Sequence, residues 1–306
     1  MRHPFRSLRR LTLVMIIISC IINIDSVAQI SAPSEHVPLT LFQLLARATL
    51  VVHVRVKDGA QRYASVDVLE TLLGESPAAR LRIDFRDLNL QLRGQDLIVF
   101  NNQADYVLFL EKPTWRKPKE KNRDLYALFH GRRGQMLLPP EGLGVPLEAI
   151  REMAKLVGRP PEDQVESLRA LMIRPNPILR QAVLEELTRM RACSIADLGP
   201  LSTLARDPLP AIRGQALATI GMVLKDPGDE MSQEPRRIAL ELCRERARND
   251  PAPSVRVEAV RALSSWDRRD DVVPDLRAVA GIDPDQSVRY EAERVLFLWG
   301  VPANPR

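Results

Sequence analysis

Four stretches decide the fold: 175–187 reads PNPILRQAVLEEL, 207–220 DPLPAIRGQALATI, 250–263 DPAPSVRVEAVRAL and 283–296 DPDQSVRYEAERVL. Aligned on their arginines, Arg180, Arg213, Arg256 and Arg289, the copies recur 33, 43 and 33 residues apart. A period of this size is the signature of a solenoid, in which each unit buries its apolar face against its neighbours. The phrase has the parts of a helix start. Asp207, Asp250 and Asp283 are expected N-caps, and Pro208, Pro251 and Pro284 stand where a missing N–H costs nothing. Ala182, Ala216, Ala259 and Ala292 are small, as close helix approach requires. Val183, Leu217, Val260 and Val295, with Leu187, Ile220 and Leu263, form the apolar stripe. The ten residues that lengthen the middle interval, 226–235, are expected between helices. Phe297, Leu298 and Trp299 are expected to cap the end of the core, with a binding patch as the alternative.

Written as D-P-x-x-x-[VI]-R-x-x-A-[LV]-x-x-L, the phrase resembles HEAT-like repeats, with four copies in an all-α solenoid over 146–306. The T-P-L-H of ankyrin repeats and the Trp, Leu-Gly and Tyr positions of tetratricopeptide repeats are absent. The resemblance implies a ladder that joins the Asp and Arg of adjacent repeats. Here it falls on Asp207, Asp250 and Asp283 and on Arg213, Arg256 and Arg289. The first copy has Arg174 where Asp is expected, so a ladder contact at that end is in doubt.

Before the repeats the period is two. Leu39 to Ala48 reads as a short amphipathic helix. Val52, Val54 and Val56, then Ala64, Val66 and Val68, then Leu81, Ile83 and Phe85 alternate with polar residues, as half-buried strands do. Tyr106 to Leu110 is apolar throughout, which suits a strand covered on both faces. Leu125 to Phe129 and Gln135 to Leu138 add two strands, with Gly131 to Gly134 as the turn. Six short strands over 36–140 predict a small antiparallel β-barrel or sandwich. The order "ATLVVHVRV", "ASVDVLETLLG", "ADYVLFLEK" is distantly similar to the OB-like barrels of the netrin and metalloprotease-inhibitor type. That similarity implies a barrel with a helix and, by analogy, protein binding; it transfers no active site.

Residues 1–28 have the form of a signal peptide. Arg2, Arg6, Arg9 and Arg10 precede an apolar run from Leu11 to Ile24, and Ser26-Val27-Ala28 offers a cleavage site. An uncleaved signal anchor is the alternative. Ile17-Ile18-Ser19-Cys20 also resembles a lipobox, so lipoprotein anchoring at Cys20 is a second processing route. Export to the periplasm or cell envelope is expected on either route. The chain holds 44 Lys and Arg against 39 Asp and Glu; without residues 1–28 the balance is 40 to 38. A near-neutral mature surface excludes the one-sided basic stripe of a nucleic-acid binder.

One charged run stands out: 115–123 reads WRKPKEKNR, with Arg116, Lys117, Lys119, Lys121 and Arg123 in a hairpin between strands. It fits a basic contact loop for an acidic partner or for anionic lipid, hence peripheral membrane association. A solvated hairpin tip is the alternative. Cys193 and Cys243 lie in different repeats and read as small core residues, although an oxidising compartment permits a bridge. Beyond the signal the only histidines are His36, His53 and His130. No H-E-x-x-H, G-x-S-x-G, Walker loop or dinucleotide fingerprint is present. No catalytic residue, cofactor or metal is therefore expected. The sequence predicts a non-catalytic protein-binding or scaffold protein of the bacterial cell envelope, with an unidentified protein partner. HEAT-like repeats also occur in bilin lyases and in a DNA glycosylase family, which keeps a lyase-like enzyme or enzyme accessory as the alternative.

Overall fold

Helix α1 (Leu41–Arg47) opens the barrel region. Thr40 caps it: its hydroxyl accepts from the Gln43 amide at 3.1 Å, and the Gln43 side chain accepts from the Thr40 amide at 3.0 Å. This reciprocal box satisfies two of the helix's orphan donors. Six strands follow: β1 (Leu50–Gly59), β2 (Tyr63–Leu73), β3 (Arg80–Asp84), β4 (Asp105–Glu111), β5 (Leu125–Leu128) and β6 (Gln135–Leu137). The computed structural model describes residues 39–60, 63–85, 98–112, 124–129, 134–225 and 233–303. The signal segment with Cys20 and the basic run 116–123 lie outside the described residues.

Strand β1 pairs antiparallel with β2 on one edge and with β4 on the other. β2 pairs antiparallel with β3, and β4 with β5. The ring closes where Arg82, Ile83 and Asp84 of β3 meet Leu125, Tyr126 and Ala127 of β5, and there the strands are parallel. One pair of the expected antiparallel barrel is therefore parallel. The ring order β1-β2-β3-β5-β4-β1 contains five strands, and an odd ring cannot alternate direction all the way round. β6 is a sixth strand outside the ring. It pairs with Tyr106 to Leu108 of β4, beside the place where β5 pairs with Leu110 and Glu111.

The alternation seen in the sequence fills the interior. Val52, Val54, Val56, Ala64, Val66, Leu81, Ile83, Leu108, Leu110 and Leu128 form one buried cluster. Phe100 closes it between Phe85 and Tyr106, with ring centroids 5.4 and 5.3 Å away. Val51, Val107 and Phe109, the intervening residues of β1 and β4, are buried too, which explains why β4 is apolar from Tyr106 to Leu110. Each such side chain contributes roughly 1.5–3 kcal/mol by leaving water.

Nine helices follow among the described residues: α2 (Gly144–Ala154), α3 (Pro161–Leu171), α4 (Pro177–Met190), α5 (Leu198–Leu204), α6 (Pro210–Lys225), α7 (Gln233–Asn249), α8 (Pro253–Ser264), α9 (Arg269–Ile282) and α10 (Gln286–Leu298). The four phrases form α4, α6, α8 and α10, which stack in succession, and α2 packs on α4 as the start of the same layer. Helices α3, α5, α7 and α9 form the second layer, each packed on the phrase helix that follows it or precedes it. Ala216, Ala259 and Ala292 are fully buried in this stack. α7 begins at Gln233, so the long interval is partly taken up as helix and only 226–232 lies outside the described residues.

From Thr40 onward barrel and helices form one compact unit. Among the described residues two side-chain ties join them. The Thr40 hydroxyl donates to Glu186 of α4 at 3.0 Å, and Arg151 of α2 forks onto Glu70 of β2 at 2.8 and 2.6 Å. Glu186 has no exposed surface, and Arg189 neutralises it one turn on.

Candidate functional site

The phrase aspartates were expected both to cap helices and to pair with arginines of adjacent repeats, and the structure places them ahead of the helices instead of at the caps. α4, α6 and α8 begin at Pro177, Pro210 and Pro253, the second proline of each phrase, and α10 begins at Gln286. Asp207, Asp250 and Asp283 therefore lie three residues ahead of their helices. Each accepts the backbone N–H two residues on, from Leu209 at 2.9 Å, Ala252 at 3.0 Å and Asp285 at 2.9 Å. That is an Asx turn, which leaves carboxylate lone pairs free for a second donor. The proline that best suits the first helical position is the later one, so the helix starts there.

The second donor is the arginine of the preceding repeat. Arg213 forks onto Asp250 at 2.8 and 2.7 Å, and Arg256 onto Asp283 at 2.7 and 2.8 Å. Each guanidinium also reaches back to its own repeat: Arg213 donates to the Asp207 carbonyl and Arg256 to the Asp250 carbonyl, both at 2.9 Å. One arginine thus fixes its own turn and the next repeat at once. The sequence missed one rung: Arg180 reaches Asp207 at 2.9 Å, although the first phrase has no Asp of its own. Asn176 stands in at that end. It caps α4 by accepting from Leu179 and donates to the Val145 carbonyl and Glu148 of α2.

The rungs are buried, so their charges are held by geometry rather than by water. Burial pushes the Asp250 carboxyl up, but hydrogen bonds from Arg213 and Ala252 and the charges of Arg213 and Arg246 outweigh it. The group sits below its ordinary value. The hydrogen bond that Arg256 donates to Asp283 raises Arg256 above its ordinary value, and the one donated to Asp250 raises Arg213. Such side chains brace the stack.

Other ties had no repeating signal and were not legible. Glu291 is buried and binds Arg261 of α8 at 3.0 Å as well as Arg294. In the second layer Arg169 holds Asp197 and Arg244 holds Asp275, at 3.0 and 2.8 Å. On the barrel, Arg55 forks onto Asp105 at 2.7 and 2.9 Å, and His53 Nε2 lies 3.5 Å from the same carboxylate. Register brings this trio together, since Arg55 faces Asp105 across β1 and β4. The Arg55 hydrogen bond holds the Asp105 carboxyl below its ordinary value. A cleft of about 570 Å³ opens beside it, lined by Arg55, Asn101, Gln103, Asp105, Leu138 and Pro140 among others.

Both described cysteines are free. Burial pushes the Cys243 thiol up to about 12. Burial also pushes Cys193 up to about 12, with the Asp197 charge adding and the Arg169 charge opposing. A raised thiol stays protonated and is a poor nucleophile. Iodoacetamide at pH 8 is therefore expected to leave the native chain unlabelled at both sites and to label both after denaturation, as counted by intact mass. Persistent protection in denaturant would mean the two are bridged. Among the described residues no group of three or more His, Cys, Asp or Glu side chains is placed to hold a metal ion. No described helix is long and apolar enough to cross a membrane.

The far end of the stack is not capped as the sequence suggested. Phe297 and Leu298 are 81% and 65% exposed, and Tyr290 is 65% exposed beside them on α10. Trp299, the third expected cap residue, is half-buried and lies under the Arg269 guanidinium, 5.2 Å from the ring centroid.

HEAT repeats are the family that matches this chain, over residues 198–296. The match spans α5 through most of α10 and takes in three of the four phrases. The first phrase, which lacks its Asp, lies outside it. No curated protein matches the chain. The fold therefore has two parts, a closed five-stranded β-barrel and a HEAT-repeat solenoid, and repeats of this kind point to a protein-interaction or scaffold role.

Proposed function

We propose that this is an exported, non-catalytic scaffold protein of the bacterial cell envelope that binds a protein partner through its solenoid. The observation that carries this reading is how the repeat residues are spent. Asp207, Asp250, Asp283, Arg180, Arg213 and Arg256 all go into holding repeats together. What the repeats offer outward is surface, and stacked repeats build extended binding surfaces. The ring order β1-β2-β3-β5-β4-β1 with one parallel pair supports an OB-like barrel, which would serve as a second contact or as a cover for the solenoid's first end. The basic run with Arg116, Lys117, Lys119, Lys121 and Arg123 belongs to this reading as a contact loop on the β4–β5 connection.

Export rests on residues 1–28, and it has its own test. Mass analysis of the native N-terminus is expected to find a chain that starts at Gln29. A lipidated Cys20 would replace cleavage after Ala28 by lipoprotein processing, and an intact Met1 would overturn cleavage altogether. Binding is tested by affinity capture from the envelope fraction with the 29–306 chain as bait. A stoichiometric protein partner is expected; hydrolase or lyase activity without one would sink the scaffold reading.

A further inference from the structure

The repeats show what each phrase helix presents to its successor, and α10 presents it to solvent. In α6 the guanidinium of Arg213 gives one nitrogen to its own turn, at the Asp207 and Pro208 carbonyls, and gives the other two to the next repeat's Asp250. Arg289 of α10 makes the first half of this set. Its Nη1 donates to the Asp283 and Pro284 carbonyls at 2.6 and 3.1 Å. Among the described residues no carboxylate takes the second half. The guanidinium is thus held in the rung geometry with its outer edge open.

The helix face around it repeats the pattern. One residue after the arginine, α6 has Gly214, whose position faces Glu258 of α8; eight after it, Gly221 faces Ala262 of α8. The same two positions of α10 hold Tyr290 and Phe297, 65% and 81% exposed. Four residues after the arginine, Leu217 and Val260 are fully buried, whereas Glu293 in α10 is exposed. An exposed apolar patch rimmed by charge is the mark of an interaction site. Here it also continues an interface whose partner chemistry is known from three rungs inside the same molecule.

We propose that the open end of α10 is a docking face for another protein's helix, led in by an aspartate or glutamate that completes the Arg289 rung. This rests on the scaffold reading and names the chemistry of the partner. Tyr290 and Phe297 stand where α6 has glycines, so the incoming helix must offer small side chains opposite the rings. A basic residue on it would meet Glu293. A second copy does not supply such a helix head to tail, because α2, the first of the stack, is already tied to β2 through Arg151 and Glu70 and packs on α1 and α4.

The test is photo-crosslinking of the full chain in the cell that makes it, with p-benzoylphenylalanine in place of Phe297. The expected result is one adduct with a different protein, mapped to a segment in which an acid immediately precedes a helix. The yield should fall about tenfold, the equivalent of ~1.4 kcal/mol, in the Arg289→Met background. It should fall equally with Tyr290→Ser, an exposed change that leaves the fold alone. The same crosslinker at Ile173, which is exposed near the other end of the stack, should give no such adduct. An adduct of twice the chain's mass, no adduct, or an adduct indifferent to both substitutions would overturn the proposal. If envelope capture by the 29–306 chain persists in the Arg289→Met variant, the docking face is wrong and the scaffold reading stands; if the unsubstituted chain captures nothing, the scaffold reading itself fails.

Discussion

Asp250→Ala is expected to destabilise the chain by about 3–5 kcal/mol, a large part of the 5–15 kcal/mol typical of a folded domain. Asp250 is 2% exposed and accepts from Arg213 twice, from the Ala252 amide, and from Arg246 at 3.4 Å. Deleting it leaves Arg213, 6% exposed, with an uncompensated charge, and it opens the turn ahead of α8. The cost comes from the orphaned partner more than from the attraction lost, because two buried charges cost almost as much to desolvate as they return. Glu241→Ala is the control. Glu241 also pairs with an arginine, Arg244, at 2.7 Å, but its side chain is 55% exposed, so its removal should cost at most ~0.5 kcal/mol. Urea midpoints at constant m-value would measure both. Equal losses would mean that the rung carries no more than a surface pair.

The same rung has a pH signature. The Asp250 carboxyl lies below its ordinary value in the folded chain. Its stabilising contribution is therefore complete above the unfolded value near ~3.9 and is lost as pH falls through the lower folded value. The gap in stability between the unsubstituted chain and Asp250→Ala should be widest near neutral pH and should close in acid.

The repeat layer was legible because the phrase fixes spacing and apolar stripe together; of the residues placed on the ladder, Asp207, Arg213, Asp250, Arg256 and Asp283 form rungs, whereas Arg289 bonds only its own turn among the described residues. What sequence reading misplaced was the helix start. With two prolines in D-P-x-P, pattern alone did not tell which one is the first helical residue, and the choice turned an Asx-turn acid into an expected N-cap. Arg180 was undervalued because its own copy lacks an Asp, whereas the rung runs forward to Asp207. In the barrel, alternation identified the strands and their inner faces, since a period of two depends only on neighbours in sequence. The parallel β3–β5 closure, and the meeting of His53, Arg55 and Asp105, depend on register between distant strands, and no local pattern encodes that. The exposed end of α10 was read first as a cap for a related reason: Phe297 and Leu298 look like core residues until it is seen that no described helix covers them.

One helix offers the sharpest check on the stacking. Gly214 and Gly221 both lie in the interior of α6, both are buried, and they stand seven residues apart on the face toward α8. By helix propensity alone each Gly→Ala change should stabilise by up to ~1 kcal/mol. At Gly214 a new Cβ meets only the Glu258 Cγ at 3.6 Å, an ordinary contact with a flexible side chain, so Gly214→Ala should keep that gain. At Gly221 the Cβ would lie 2.9 Å from the Ala262 Cα and 3.3 Å from its Cβ. Backbone cannot swing aside as a side chain can, so α8 itself must move, and the shift is carried into the Arg213–Asp250 and Arg256–Asp283 rungs on either side of it. Overpacking of this kind costs roughly 1–3 kcal/mol and outweighs the propensity gain. Gly221→Ala is thus expected to destabilise while Gly214→Ala stabilises, and Gly221→Val should be worse than Gly221→Ala. Denaturant midpoints of the three full-length variants would show it. The same sign at both glycines would mean that α6 and α8 do not approach through Gly221, and the inter-repeat geometry on which the open end of α10 was read would fail with it.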